Sequence, residues 1–230
     1  MVRVVRSNLD MLKNKSIKLC TDNNNLEYIL DSGSNVDELH NCCLDFHELC
    51  SKNTISFVVE WIPRKRNVHA DYLSRLSDCD DWSVTDTVYG VINQKWGPHT
   101  VDRFSSHYNN KCARFNSRWW VPGTEATNCF YETWKGEINW LVPPPSLGAA
   151  CIRKLQDERS LGTVVLPEWP SAAFWPLVAD DVRRYKHFVK EVYVLPKFGS
   201  IMPGRGNNGI FGVEPLPFRM LALFCDCRYA

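Results

Sequence analysis

The chain has 230 residues, 44% of them hydrophobic, with 27 basic and 26 acidic side chains and a formal net charge of +1. That is enough for one or two domains with a real core, and the near-neutral balance excludes a protein that binds nucleic acid by bulk charge alone. Residues 1–12 carry two Arg and no long apolar run, and no stretch reaches transmembrane length, so the sequence predicts an intracellular protein, cytoplasmic or nuclear, that is neither secreted nor in a membrane, with its 10 Cys reduced.

In chain order, residues 1–13 place Val4, Val5, Leu9 and Leu12 at helical spacing. Residues 16–22 alternate as a short strand that runs into Thr21-Asp22-Asn23, so Asp22 sits where a strand ends and a helix begins. Helices are expected over 24–31 and 36–51. Residues 54–61 are rich in β-branched and aromatic side chains, as a buried strand should be, and Pro63 closes them. Arg64-Lys65-Arg66 is the only dense basic cluster, in a loop where phosphates could be contacted or where three cations are simply solvated. Asn67 is a good N-cap for a helix with Ala70, Leu73 and Leu76 on one face and Asp71 and Arg75 on another. Two acids, Asp22 and Asp71, brought to the carboxyl ends of strands suit a divalent metal such as Mg²⁺, while a helix-capping Asp is the plainer use of each. Cys43 and His47 have an i, i+4 spacing compatible with zinc or with a buried thiol beside a core imidazole.

The series KSIKLCTDNNNLEYILDSGS, a helix, then ISFVVEWIPRKRNVHADYLSRL resembles the second half of the ribonuclease H domain of retroelement polyproteins. The resemblance implies that Asp22 and Asp71 are two of the four carboxylates of a two-metal site holding Mg²⁺ or Mn²⁺, acting on RNA–DNA hybrids, with Arg64, Lys65 and Arg66 near the nucleic acid. The positions that would supply the other two acids, on earlier strands and an earlier helix, find no match, so a truncated domain without hydrolytic activity is expected. A sheet reduced in this way would leave an unpaired edge.

Residues 77–87 open on the acidic run Ser77-Asp78-Cys79-Asp80-Asp81 and read as a linker. Beyond it, residues 88–230 read as an α/β domain: a helix over 88–95, a strand over 100–104, a strand over 134–142 running into Pro143-Pro144-Pro145, a helix over 149–159, a buried strand over 162–166, and strands over 191–195 and 220–224. Strands alternating with helices favour a mostly parallel sheet with helices on both faces.

VDRFSSHYN, residues 130–134, INWLVPPPS and GTVVLPEWPSAAFWPLV are similar to the adenine-N6 methyltransferase-like domain that follows ribonuclease H in DIRS-type and Ngaro-type retrotransposons, itself similar to phage-type DNA adenine methylases. The resemblance implies a Rossmann-type fold, S-adenosylmethionine as cofactor and DNA as partner. It also implies an Asn-Pro-Pro-Tyr motif whose polar residue and proline carbonyl hydrogen-bond the adenine amino group while its aromatic stacks on the flipped base. Here the motif reads Val142-Pro143-Pro144-Pro145, so both handles are apolar and methyl transfer is not expected. Asp102, at a strand end, is the candidate cofactor-binding acid or a turn-capping one. Trp169, Phe174 and Trp175 could stack bases or fill the core, and the Gly-rich tract 203–212 lacks a phosphate-loop ending.

The fold class expected is therefore α/β: a partial ribonuclease H-like domain over residues 1–76, a linker over 77–87 and a methyltransferase-like domain over 88–230. Three functions compete. One is a fragment of a retroelement polyprotein, inactive in both halves, with the rest of the polyprotein as partner. Another is a working nuclease or DNA adenine methyltransferase, and the third is a non-catalytic nucleic-acid-binding module.

Overall fold

The computed structural model describes residues 1–75, 81–181, 184–204, 209–212 and 214–229, the side chains of residues 71 and 73–75 excepted. The acidic run 77–80 and residues 205–208 of the Gly-rich tract lie outside the described residues. The chain forms two compact units, Met1–Leu76 and Ser77–Ala230.

The first unit runs α1 (Val2–Ser7), α2 (Leu9–Leu12), β1 (Ser16–Thr21), α3 (Asn24–Ser32), α4 (Asp37–Lys52), β2 (Ser56–Trp61) and α5 (Val68–Arg75). Its two strands pair in parallel, from Ser16 opposite Ser56 to Thr21 opposite Trp61. The alternation of each strand decides its faces: Ile17, Leu19, Phe57 and Val59 turn onto a core built around Val5, Phe46 and Cys50, while Lys18 and Glu60 form an ion pair on the open face. The continuous helix expected over 1–13 breaks at Asn8, whose side-chain amide donates to Val4 O. The second strand starts at Ser56 rather than Thr54, because Thr54 adopts a left-handed conformation (φ 54°) and Ile55 N donates back to Cys50 O at the end of α4. Cys43 and His47 do not face a metal. Cys43 Sγ (3.1 Å, to Ile29 O) and His47 Nε2 (2.7 Å, to Leu30 O) both bond carbonyls of the last turn of α3, where helix acceptors lack intrahelical partners or share them.

The second unit contains β3 (Trp82–Val84), α6 (Asp86–Trp96), β4 (Val101–Asp102), β5 (Arg114–Ser117), β6 (Ala126–Thr127), β7 (Ile138–Leu141), α7 (Gly148–Asp157), β8 (Leu161–Pro167), α8 (Trp175–Val178), β9 (Ala179–Asp181), β10 (Arg184–Tyr185), β11 (Val189–Val194), β12 (Ile201–Pro203) and β13 (Met220–Asp226). Seven of these strands make one sheet in the order β11-β13-β8-β7-β4-β5-β6. From β8 to β6 neighbours are parallel, and β13 lies antiparallel between β8 and β11. Trp82–Val84, within the stretch read as linker, instead pairs with β12.

Both sheet faces are covered, which is why β8 and β13 read as unbroken apolar runs. On one face Leu141, Val164, Leu166 and Leu221 meet Ile152 and Leu155 of α7 together with Phe174 and Trp175. On the other, Trp140, Val142, Val165 and Ala222 meet Val88, Ile92 and Trp96 of α6. Phe174 and Trp175 are therefore core side chains, with Trp169 half-buried against the same cluster, and the base-stacking reading of that trio is corrected by their burial. Gly162 is required by a close approach: a Cβ there would lie 2.7 Å from Asn139 O on β7. The strand expected from residue 134 begins only at Ile138, because Trp134 is a buried core residue and the chain turns through Gly136 at φ 84°.

Leu155 is fully buried between α7 and the sheet. Leu155→Ala is expected to cost about 2–5 kcal/mol. Urea unfolding followed by tryptophan fluorescence reads this directly, since all but one of the nine Trp lie in the second unit.

Candidate functional site

In the larger sheet the chain places β4, β5 and β6 successively outward and then returns to the other side of β4 to lay down β7 and β8. Loops leaving the carboxyl ends of β4 and β7 thus diverge, and in open α/β sheets that reversal is where ligands bind. The residues at this place are Asp102 to Lys111 after β4, Ser117 and Arg118 after β5, and Val142 to Pro145 after β7.

Asp102 is 2% exposed, and its two oxygens accept from the backbone N–H groups of Phe104 (3.3 Å) and Lys111 (3.0 Å). Burial raises its pKa to about 6, against the opposing pull of these N–H donors and the Ser105 hydroxyl. The carboxylate therefore acts on its own loop, folding residues 103–111 back over the strand end. Lys111, almost fully buried, pairs with Asp86 at the start of α6.

The next residue points to the opposite face. Arg103, 4% exposed, donates from Nε to Asn139 Oδ1 (2.8 Å), from Nη1 to Asn116 Oδ1 (2.8 Å) and from Nη2 to Thr133 O (2.9 Å). It also lies over the Trp134 ring. Its hydrogen-bond acceptors are neutral oxygens, and burial lowers its pKa. Nothing in the sequence singled out Arg103, since a charge between two strand residues reads as solvent-facing. The usable signal was the amide pair Asn116 and Asn139, which sit on the two strands flanking β4 and supply the acceptors.

At the end of β7 the sequence expectation gains a second element. Trp82, 2% exposed, donates its indole N–H to Pro143 O at 3.3 Å and stacks on Phe211 with centroids 4.6 Å apart and planes 16° apart. Val142 is buried under the same cluster. Trp82 was hidden in the sequence behind the acidic run, although a buried strand is the usual place for Trp-Ser-Val.

S-adenosylmethionine presents a ribose diol, an ammonium and a sulfonium cation, which call for acceptors and negative charge, and a carboxylate and an adenine, which call for donors. At these strand ends Asp102 is sealed, Asn116 Oδ1 is taken by Arg103, and Ser117 Oγ donates to Trp119 O (2.6 Å). Arg118, over the Trp119 ring, adds positive charge. Asn116 Nδ2, buried at the same strand end, has no partner among the described residues.

In the first unit, Asp22 follows β1 and is exposed. Its Oδ1 accepts from Asn67 Nδ2 (3.1 Å) and its carbonyl from Trp61 Nε1 (3.3 Å). Asn67 thus ties the start of α5 to the carboxyl end of β1. Asp71 lies on α5, one turn on, and its side chain is outside the described residues. Arg64, Lys65 and Arg66 form a single exposed 3-10 turn just before. Among the described residues no three His, Cys, Asp or Glu side chains are grouped to hold a metal, and no helix is long and apolar enough to cross a membrane.

The family model for DNA N-6-adenine-methyltransferase (Dam) matches residues 74–189, half of the chain and most of the second unit. No curated protein matches the chain.

The two buried titratable groups flanking β4 are expected to oppose each other in pH. His99 accepts from Thr163 Oγ1 at Nε2 (2.8 Å) and donates Nδ1–H to Asn93 Oδ1 (2.8 Å), an oxygen already fixed as acceptor by His99 N. Burial lowers its pKa to about 4. Its stabilising effect is complete above the unfolded value near 6.5 and is lost as pH falls through 4. Asp102, raised to about 6, contributes stability below 3.8 that is lost as pH rises through 6. Relative to the wild type, His99→Gln should gain, and Asp102→Asn should lose, about 3 kcal/mol between pH 7 and pH 4, measured by urea titration at each pH. Parallel pH curves for wild type and both variants would contradict this arrangement.

Proposed function

We propose, since this chain belongs to the DNA N-6-adenine-methyltransferase (Dam) family, that its second unit is a DNA-binding domain that keeps the family's fold and no longer transfers methyl groups. Membership supplies the sheet, the switch-point crevice and DNA as the macromolecular partner. The observation that carries the loss of chemistry is the bond from Trp82 Nε1 to Pro143 O. In the motif that the family resemblance implies, this carbonyl and the preceding polar side chain take the two hydrogens of the adenine amino group. Here the side chain is Val142 and one lone pair of the carbonyl already has a donor, so a flipped adenine would meet an apolar wall and a carbonyl it must share with the Trp82 indole. Displacing the indole would leave a buried N–H without a partner, at a cost of about 1–3 kcal/mol before any base is bound.

Asp102, the cofactor-binding candidate, supports the same reading, because both of its oxygens serve its own loop. S-adenosylmethionine is expected to leave the melting temperature unchanged at millimolar concentration. Unmethylated duplex DNA incubated with tritium-labelled S-adenosylmethionine should gain no label in adenine, while anisotropy reports DNA binding. The double variant Val142→Asn, Pro145→Tyr should remain inert while Trp82 is in place. Label in adenine from the wild-type protein would overturn the proposal.

A second reading concerns residues 1–76, as a ribonuclease H-derived remnant from a retroelement polyprotein. What favours it is the bond between Asn67 and Asp22, which brings the start of the helix carrying Asp71 to the carboxyl end of β1. Two carboxylates there could hold one Mg²⁺ or Mn²⁺, but two-metal hydrolysis also needs a carboxylate bridging both ions, and no third ligand joins them among the described residues. An RNA–DNA hybrid is therefore expected to survive incubation with the protein and Mn²⁺, whereas cleavage lost in Asp22→Asn would show a working nuclease.

A further inference from the structure

We infer that the end of β2 and the basic turn after it form a binding surface for single-stranded nucleic acid, phosphates on the turn and a base on Trp61. Trp61 is 44% exposed, yet it is not loose: its indole N–H is bonded to Asp22 O, which holds the ring at the strand end with a face turned to solvent. A large aromatic left half in water at a fixed orientation offers a stacking platform, and every base has a face to place on it.

Arg64, Lys65 and Arg66 follow after Pro63 in one tight turn, closed by Arg66 N to Pro63 O (2.7 Å) and Asn67 N to Arg64 O (3.0 Å). All three are exposed, and among the described residues none has a carboxylate within ion-pair distance. Carboxylates of the two strands are engaged elsewhere, Glu60 by Lys18 and Asp22 by the Asn67 amide. Because Asn67 and Trp61 both bond Asp22, the turn and the aromatic are held at the same strand end.

The combination selects the partner. Three unpaired cations alone would suit any polyanion, but a platform for stacking needs bases that are not already stacked in a duplex. The surface is independent of the larger unit's chemistry and of any metal at Asp22.

The test is fluorescence anisotropy of the full chain with labelled dT20, U20 and a 20-base-pair duplex between 50 and 200 mM salt. Binding of either single strand should weaken with a salt slope to which the three cations contribute about 2. The triple variant Arg64→Ala, Lys65→Ala, Arg66→Ala should lose that part of the slope. Trp61→Ala should lower single-strand affinity about 5- to 100-fold with the slope unchanged, and Trp61→Phe, which stacks but cannot bond Asp22, should retain it. Circular dichroism melting of each variant checks that the unit remains folded. Any DNA binding by the second unit persists in all variants, so only these differences count. Unchanged affinity in both the triple variant and Trp61→Ala would overturn the inference, as would equal losses on duplex and single strands in Trp61→Ala.

Discussion

The larger unit depends on a buried guanidinium. Strand β4 is two residues long, yet it is the axis about which the sheet reverses, and Arg103 at its end reaches β5 through Asn116, β7 through Asn139 and the loop before β7 through Thr133. A cation taken out of water must have its hydrogens satisfied, and breaking such a set by removing one partner leaves an uncompensated charge in the interior. The three strands are therefore held in one register by a side chain. The cost of burying that charge is offset by neutral acceptors and by the Trp134 ring beneath it.

The same demand for satisfied polar groups explains the fate of the crevice. At a reversal point, strand-end carboxylates, carbonyls and hydroxyls usually remain free for a ligand. Here three of them have internal partners: Asp102 has two backbone N–H groups, Ser117 the Trp119 carbonyl, and Pro143 the Trp82 indole. The Dam-family architecture persists because its stability resides in the two apolar layers, which these polar exchanges leave intact. Under the proposed loss of methyl transfer, fold and chemistry separate at this point, as expected when function occupies a few groups placed on a general scaffold.

The sequence was legible where periodicity and burial agree. The apolar runs of β8 and β13 and the alternation of β1 were readable. The strands too short to show a period were not: β4 to β6 span two to four residues each and are defined by pairing rather than pattern. Trp82 was missed because its partner Phe211 is far along the chain, and β3 exists only through its pairing with β12. Arg103 was missed because local sequence makes charged residues look exposed, and only the distant Asn139 reveals that this one is not. The bond from Asn67 Nδ2 to Asp22 is a tertiary contact that no local rule supplies.

The most direct measurement is the NMR signal of the Trp82 indole N–H, assigned by its disappearance in Trp82→Phe. The account predicts a slowly exchanging proton, protected by its bond to Pro143 O, that does not move when S-adenosylmethionine or an adenine-containing oligonucleotide is added. A rapidly exchanging indole, or one that shifts on addition of either ligand, would mean that the carbonyl is free to receive an adenine and that the crevice still works as a methyltransferase site.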